Sequence, residues 1–339
     1  MINNFSNYYF VGIGGAGMSA LAGWLCEKKF KVSGYDRKTT VFTSQLKKMG
    51  IEISHNNSIE EIKNISKDDT IIVYTPAVNK KNNLLQYFTQ NNFLILKRSE
   101  LLQKISLSYN VIAVAGTHGK TTTCAMLAHI LNEKGFSPNA IFGGISLNFN
   151  ANYLCGSSDI LILEADEFDK SFLKLNPSLS LITSIDKDHM ETYPDRTDLT
   201  TSFAKFCLKT ILKHQSSNSL KLDNKSPLIF SRAIHRDDIL IIKNYIKKNT
   251  KAFPSEALIK KETITNRVIL PTFMAHHNKS NAIYVSILLN KIGLNDLSIE
   301  DGFKTFKGVW RRFQYHSNNE KLILIDDYTP LGDVHNHQL

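Results

Sequence analysis

Short apolar runs stopped by glycine alternate with longer stretches of helical spacing along the first half of the chain. Tyr8 to Ile13 is an apolar run that enters Gly12-Ile13-Gly14-Gly15-Ala16-Gly17, and Met18 to Lys28 follows with helical character. Lys31 to Tyr35 reads as the next strand and ends at Asp36. Thr70 to Tyr74 is a β-rich run stopped by Thr75-Pro76, and Phe93 to Leu96 is a short strand before Lys97-Arg98-Ser99-Glu100. This alternation, continuing to about residue 107, predicts one doubly wound α/β unit.

A second α/β unit begins at the apolar segment Asn110 to Ala115, with helical spacing from Thr121 to Lys134. Ile141-Phe142-Gly143-Gly144 follows, then a strand over Ile160 to Leu163 and another over Leu179 to Ile185. Residues 195 to 270 are rich in Lys, Asn and Ser and show only weak periodicity, around Ile239 to Ile246. A helix is expected over Asn281 to Leu289, and a strand over Lys321 to Ile325 ends in Asp326-Asp327-Tyr328. No internal repeat is visible.

The chemistry sits between these elements. Gly116-Thr117-His118-Gly119-Lys120-Thr121-Thr122-Thr123 joins a strand to a helix. Glycines let the backbone turn tightly, the helix start offers unpaired amides, Lys120 brings a cation, and Thr121 offers a hydroxyl to Mg²⁺. The usual triphosphate pattern has glycine five positions before its second glycine; Val114 stands there, so the loop is a compact variant. Glu164-Ala165-Asp166-Glu167-Phe168-Asp169 leaves the strand at Ile160 to Leu163, at the sheet edge where open sheets bind ligands. Hard carboxylate oxygens there suit Mg²⁺, with Glu164 the prime ligand and Asp169 readable as a solvated turn. His189, after the next strand, reaches the same edge as a metal or phosphate contact. Gly12 to Gly17 with Asp36 fits a dinucleotide fingerprint but does not distinguish NAD from other nucleotides, so a dehydrogenase stays open at this point.

Composition narrows the setting. At 339 residues with 42% hydrophobic content, two or three soluble domains are expected. No segment approaches the roughly 18 apolar residues of a membrane helix, and the amino terminus has no export signal, so a cytoplasmic location is expected. Cys26, Cys124, Cys155 and Cys207 are scattered, which fits reduced thiols and no structural zinc. The formal charge of +10 could attract polyanions, but aromatic residues are not interleaved with the basic ones as a nucleic-acid surface requires. Lys-, Asn- and Ile-rich drift accounts for it, and no nucleic-acid partner is expected.

The stretches YFVGIGGAGMSALA, GYDRKTT, YTPAV, KRSELL, VAGTHGKTTT, EADEFDKSFLKLNP, ITSIDKDHMETY, HHNKSNA, GVWRRF and IDDY together resemble the Mur ligase family. The resemblance implies a Rossmann-like UDP-sugar domain over 1–107 and a central ATP-binding domain over 108–313. It also implies that 314–339 is the remnant of a truncated carboxyl-terminal amino-acid-binding domain. By resemblance, Gly14, Gly15, Gly17 and Ser19 face the sugar diphosphate, with Asp36 nearer the uridine. Lys120, Glu164 and His189 serve catalysis, and Thr121, Glu164 and His189 surround Mg²⁺. ATP is met by Gly116, Thr117, His118, Gly119, Lys120, Thr121, Thr122, Asn278, Arg311 and Asp326.

The implied reaction joins L-alanine to UDP-N-acetylmuramate with ATP, through an acyl phosphate. A family member that attaches a tripeptide to the same acceptor is a neighbouring reading, and a nucleotide-binding remnant without turnover is another. The family places a glycine or alanine and two histidines after its Asp-Asp-Tyr motif, where this chain has Thr329-Pro330-Leu331. The chain therefore reads as a truncated form, as the product of a frameshifted or decaying gene, or as one half of a split enzyme whose missing domain a separate chain would supply.

Overall fold

The computed structural model describes residues 5–186, 192–216, 226–250, 276–311, 314–319 and 322–326. The first sheet contains β1 (Asn7–Val11), β2 (Lys31–Tyr35), β3 (Glu52–Ser54), β4 (Thr70–Tyr74) and β5 (Leu94–Lys97). They lie in the order β3-β2-β1-β4-β5, all parallel. The crossovers include α1 (Ala16–Glu27), α2 (Val41–Lys48) and α3 (Asn83–Gln90), and α4 (Arg98–Ser106) follows β5. The strand order reverses between β1 and β4, so the turn after β1 opens at the switch point where such sheets take ligands.

The second sheet is built on β6 (Asn110–Ala115), whose six residues are all buried. Burial on both faces is what a central parallel strand requires, and it explains the unbroken apolar run. Around it lie β7 (Asn139–Ser146), β8 (Ala151–Leu154), β9 (Ile160–Ala165), β10 (Leu179–Ile182) and β11 (Leu228–Phe230), in the order β11-β10-β6-β9-β7-β8. Only β8 runs antiparallel among these described strands. Because β9 and β10 flank β6, whatever leaves their carboxyl ends converges on the loop that follows β6.

That loop opens α5 (Lys120–Glu133), buried from Thr121 to Leu131 between the sheet and the helices α8 (His276–Lys291) and α9 (Asp296–Thr305). On the other side of the sheet run α6 (Arg196–Ser216) and α7 (Arg236–Asn249). Among its described residues, the weakly periodic stretch from 195 to 270 thus holds α6, β11 and α7. In α6 the buried Leu199, Phe203, Phe206, Cys207 and Ile211 recur at helical spacing, scattered among Lys and Thr. The expected strand over Leu179 to Ile185 ends earlier, at Ile182, because Thr183 and Ser184 leave the ladder to hold the neighbouring loop. The strand expected near Lys321 is β13 (Leu322–Asp326), paired antiparallel with β12 (Gln314–Asn319).

The two sheets share a polar seam. From Met18 to Leu25 helix α1 is buried all round, which fits its apolar sequence, because it lies between its own sheet and the β7–β8 hairpin. Trp24 Nε1 donates to Asn139 Oδ1 at 3.0 Å, and Asn152 Nδ2 donates to Ala16 O at 2.8 Å and Ser19 Oγ at 3.0 Å. Tyr153 Oη donates to Glu27 at 3.0 Å and Lys28 Nζ to Gly156 O at 2.8 Å. Among the described residues, no helix is long and apolar enough to cross a membrane, and the cysteines are free thiols.

Candidate active site

The loop after β6 is shaped by two glycines in backbone conformations that side chains rarely adopt. Gly116 has φ +129°, and a Cβ there would lie 2.3 Å from Thr183 Oγ1. Gly119, which precedes α5, has φ +81°, and a Cβ there would lie 2.7 Å from Asn281 Oδ1. The strand ends then hold the loop in place. Thr117 N donates to Ser184 O at 3.2 Å, His118 N to Ser184 Oγ at 3.0 Å, and Thr183 Oγ1 to His118 O at 2.5 Å. The loop is therefore held by protein contacts, and the first turn of α5 presents the unpaired amides of a helix start.

Lys120 is folded back over this loop. Its ammonium donates to Gly116 O at 2.6 Å, to Thr117 O at 3.4 Å, and to both carboxylate oxygens of Glu167 at 3.1 and 2.9 Å. The Glu167 side chain is 1% exposed and the Lys120 side chain 11%. Burial alone would lower the lysine pKa, but Glu167, Glu164 and Asp166 outweigh it, so Lys120 sits above its ordinary value and carries its charge. Burial pushes Glu167 upward, and Lys120 draws only part of that shift back. Tyr193 Oη anchors the same residue by donating to Glu167 O at 2.7 Å.

Beside this pair, Thr121 Oγ1 donates to the two oxygens of Glu164 at 3.0 and 2.9 Å, and Gly143 N donates to Glu164 Oε2 at 2.6 Å. A hydroxyl and a carboxylate side by side at a helix start are hard oxygen donors of the kind Mg²⁺ takes, so these residues fit that ion. The other acids of the run do local work. Asp166 Oδ1 accepts from Phe168 N at 3.2 Å, and Asp169 Oδ1 from Ser171 N at 3.0 Å, so Asp169 closes a turn, as its place in the run suggested.

The remaining expected ATP contacts divide. Thr122 is buried in the first turn of α5. Asn278 Oδ1 is buried without a hydrogen-bond partner among the described residues. Arg311, at φ +55°, lies over the Trp310 ring, with its guanidinium carbon 5.6 Å from the ring centre. The segment before it runs along β7, where Val309 bridges Ser146 and would meet a Cβ on Gly144 together with Thr121. His189 lies outside the described residues; Asp326 ends β13, and its side chain lies outside them too.

In the first sheet, Gly14, Gly15 and Gly17 sit where β1 turns into α1. Asp36 closes that turn itself, since its carboxylate accepts from Gly14 N at 2.7 Å and Lys38 N at 3.0 Å. Ser19 lies deeper than the glycines: it is 2% exposed, donates to Ala16 O at 2.9 Å and accepts from Asn152. Its hydroxyl is turned into the seam, because α1 is sandwiched between its own sheet and the β7–β8 hairpin. Sequence reasoning did not single out Glu167, Ser184 or Asn281. The signal for Glu167 was its place as the third acid of the same run; for Asn281, it was the asparagine three positions after Asn278.

Residues 7–110 match the model of the Mur ligase family, catalytic domain, and residues 114–289 match the Mur ligase middle domain. The chain is 37% identical over 343 residues to a UDP-N-acetylmuramate–L-alanine ligase of Christiangramia forsetii, covering 98% of this chain and 74% of that protein. It is 36% identical to the enzyme of that name in Flavobacterium psychrophilum, with the same coverage of 98% and 74%. The crystal structure of a UDP-N-acetylmuramate-alanine ligase from Thermotoga maritima superposes with a TM-score of 0.75 at 25% identity, over 95% of this chain and 74% of that one. A UDP-N-acetylmuramate:L-alanyl-gamma-D-glutamyl-meso-diaminopimelate ligase from Neisseria meningitides shares the fold, with a TM-score of 0.72 at 21% identity, over 91% of this chain and 100% of that one.

Proposed function

The chain belongs to the Mur ligase family, and from that premise we propose that it ligates L-alanine to UDP-N-acetylmuramate with ATP, in peptidoglycan synthesis. The observation that carries the reading is the meeting of Lys120 and Thr121 with Glu167 and Glu164, across the carboxyl ends of β6 and β9. A lysine and a helix start that can receive a triphosphate lie against acids that can hold its metal. The units read as a UDP-sugar domain over 1–107, a central ATP domain over 108–313, and the beginning of a third from 314.

In this reading a carboxylate oxygen of the muramate attacks the γ-phosphorus of ATP and ADP leaves. The alanine nitrogen then attacks the acyl carbon, inorganic phosphate departs with the bond electrons, and the amine proton passes to solvent. Lys120 and the α5 amides hold the terminal phosphates in line and offset their charge, which is the main contribution proteins make to phosphoryl transfer. Thr121 and Glu164 would hold Mg²⁺, with His189 beside it; when bound, that ion neutralises phosphate charge. Thr117, His118 and Thr122 line the triphosphate, Asn278 and Arg311 touch ATP, and Asp326 takes the ribose or adenine side. Gly14, Gly15 and Gly17 receive the sugar diphosphate, and the work is done in the cytoplasm.

The test is ADP release from MgATP in the presence of UDP-N-acetylmuramate, with L-alanine, with the tripeptide L-Ala-γ-D-Glu-meso-diaminopimelate, or with no amine. The carboxyl-terminal portion of a relative is added in trans in a parallel series. ADP that depends on both acceptor and L-alanine is the expected outcome. ADP that appears only with the tripeptide would reassign the donor, and none in any arm would defeat the ligase reading.

A further inference from the structure

The motif Lys97-Arg98-Ser99-Glu100 has so far been given no role. It joins the end of β5 to the start of α4, on the same edge of the first sheet as the glycine turn. Its position is fixed from two directions. The Glu100 carboxylate accepts from Lys97 N at 2.9 Å, closing the start of α4, and from Lys174 Nζ of the second unit at 3.1 Å. Arg98 is thereby held on the seam, half-buried, where it lines a cleft with Ser99, Glu164, Asp166, Ser171 and Phe172.

Its guanidinium is laid against Gly17, in the first turn of α1. A Cβ at Gly17 would lie 3.1 Å from Arg98 Nη1 and 3.2 Å from its Cζ and Nε, so the glycine leaves the room that the guanidinium occupies. Among the described residues Arg98 has no hydrogen bond and no ion pair, although Glu164 and Asp166 share its cleft. Glu164 is already engaged by Thr121 and Gly143, and Asp166 by Phe168. A half-buried guanidinium left without an anion, with its planar fork beside a helix start, is suited to phosphate.

We propose that Arg98 grips the diphosphate of the nucleotide-sugar acceptor from across the glycine turn, clamping it between α1 and α4. The inference rests on the acceptor reading above and adds to it a side chain that faces both the glycine turn and Glu164. Because Arg98 also borders the narrow cleft that carries Glu164, a diphosphate held at the glycine turn orients the rest of the acceptor toward the triphosphate site.

The experiment measures dissociation constants by calorimetry for UDP, UDP-N-acetylglucosamine and UDP-N-acetylmuramate, on the full chain and on Arg98→Ala and Arg98→Lys. Affinity for MgATP serves as the control for folding. We expect Arg98→Ala to weaken all three uridine ligands alike by about 10- to 100-fold, the range of one or two charge-assisted hydrogen bonds. Arg98→Lys should recover only part of this, since it keeps the charge but not the fork. Unchanged affinity for UDP and UDP-N-acetylglucosamine overturns the proposal, and a loss confined to the muramate overturns it in favour of the carboxylate. If Arg98→Ala also loses MgATP, the lysine variant decides by the same two results. Failure of the unsubstituted chain to bind any of the three would instead sink the acceptor reading itself.

Discussion

Replacing Glu167 by glutamine tests how the nucleotide reaches Lys120. An ammonium has three donors, and Lys120 already has four oxygens within 3.4 Å, two of them from Glu167. In the proposed reading, a phosphate oxygen must therefore displace one of them. At about 3 Å and an effective dielectric of about 20, the pair attracts by roughly 5–6 kcal/mol before desolvation is counted. Removing one member of such a buried pair costs about 3–5 kcal/mol, and glutamine returns part of this because its carbonyl still accepts. The ligand-free Glu167→Gln chain should thus lose about 2–3 kcal/mol in urea denaturation. With a non-hydrolysable MgATP analogue, the γ-phosphate supplies the missing negative partner. Most of the loss should then vanish, and by linkage the analogue should bind at least about tenfold more tightly. Equal losses with and without nucleotide, or weaker nucleotide binding in the variant, would refute this. Glu167 would then belong to the nucleotide-bound arrangement and not to a contact that the nucleotide displaces.

Other perturbations report on the frame around the site. Gly116→Ala should abolish measurable MgATP binding in calorimetry, because its Cβ would stand 2.3 Å from Thr183 Oγ1 and 2.7 Å from Ser184 N at φ +129°; retained affinity would show that the loop relaxes. Trp24→Phe removes the donor to the buried Asn139 Oδ1 and should lower stability by about 1–3 kcal/mol in a denaturant titration. His129 is held below its ordinary 6.5 by burial, with Glu133 pulling it up and Lys307 pushing it further down. The unfolded chain therefore takes up this proton first, and stability should fall as pH drops below about 6.5, by at most about 1.4 kcal/mol per pH unit. In His129→Gln that part of the slope should be missing from denaturation curves collected across pH.

Where chemistry constrained the backbone, the sequence was readable. Gly116 and Gly119 are where the chain takes φ values of +129° and +81°, and they stood out because few other residues can. Glu164 was legible because it leaves a wholly apolar strand beside that loop. Glu167 was not, since nothing in a run of four acids tells which one a turn will aim inward. The resemblance put Asp36 nearer the uridine; its carboxylate is engaged by Gly14 N, because a short acid at a strand end reaches its neighbour's loop as readily as a ligand. In α6 the helical spacing of Leu199, Phe203, Phe206 and Ile211 was present but masked by the Lys- and Thr-rich residues between them. The seam contact of Ser19 was not legible for a tertiary reason: the hairpin that buries it lies more than a hundred residues downstream, with Asn152 Nδ2 donating to its hydroxyl.

The seam constrains how the two substrates meet. Bringing a carboxylate to a γ-phosphate in line is worth much of the barrier, but only if the reacting atoms are held about 3–3.5 Å apart. Two units joined by a flexible linker would have to find that alignment in each turnover. Here Trp24 with Asn139, Asn152 with Ala16 and Ser19, and Tyr153 with Glu27 tie the helix of the glycine turn to the hairpin of the triphosphate sheet. Lys174 with Glu100 ties the start of α4 to the turn after β9. Breaking any one of these should disturb the distance between the two cradles more than either cradle itself. A seam variant such as Trp24→Phe should therefore retain its affinities for MgATP and for UDP measured separately, while acceptor-dependent ADP release falls. Loss of either affinity, with the ratio of turnover to binding unchanged, would mean that the seam supports the individual pockets and not their alignment.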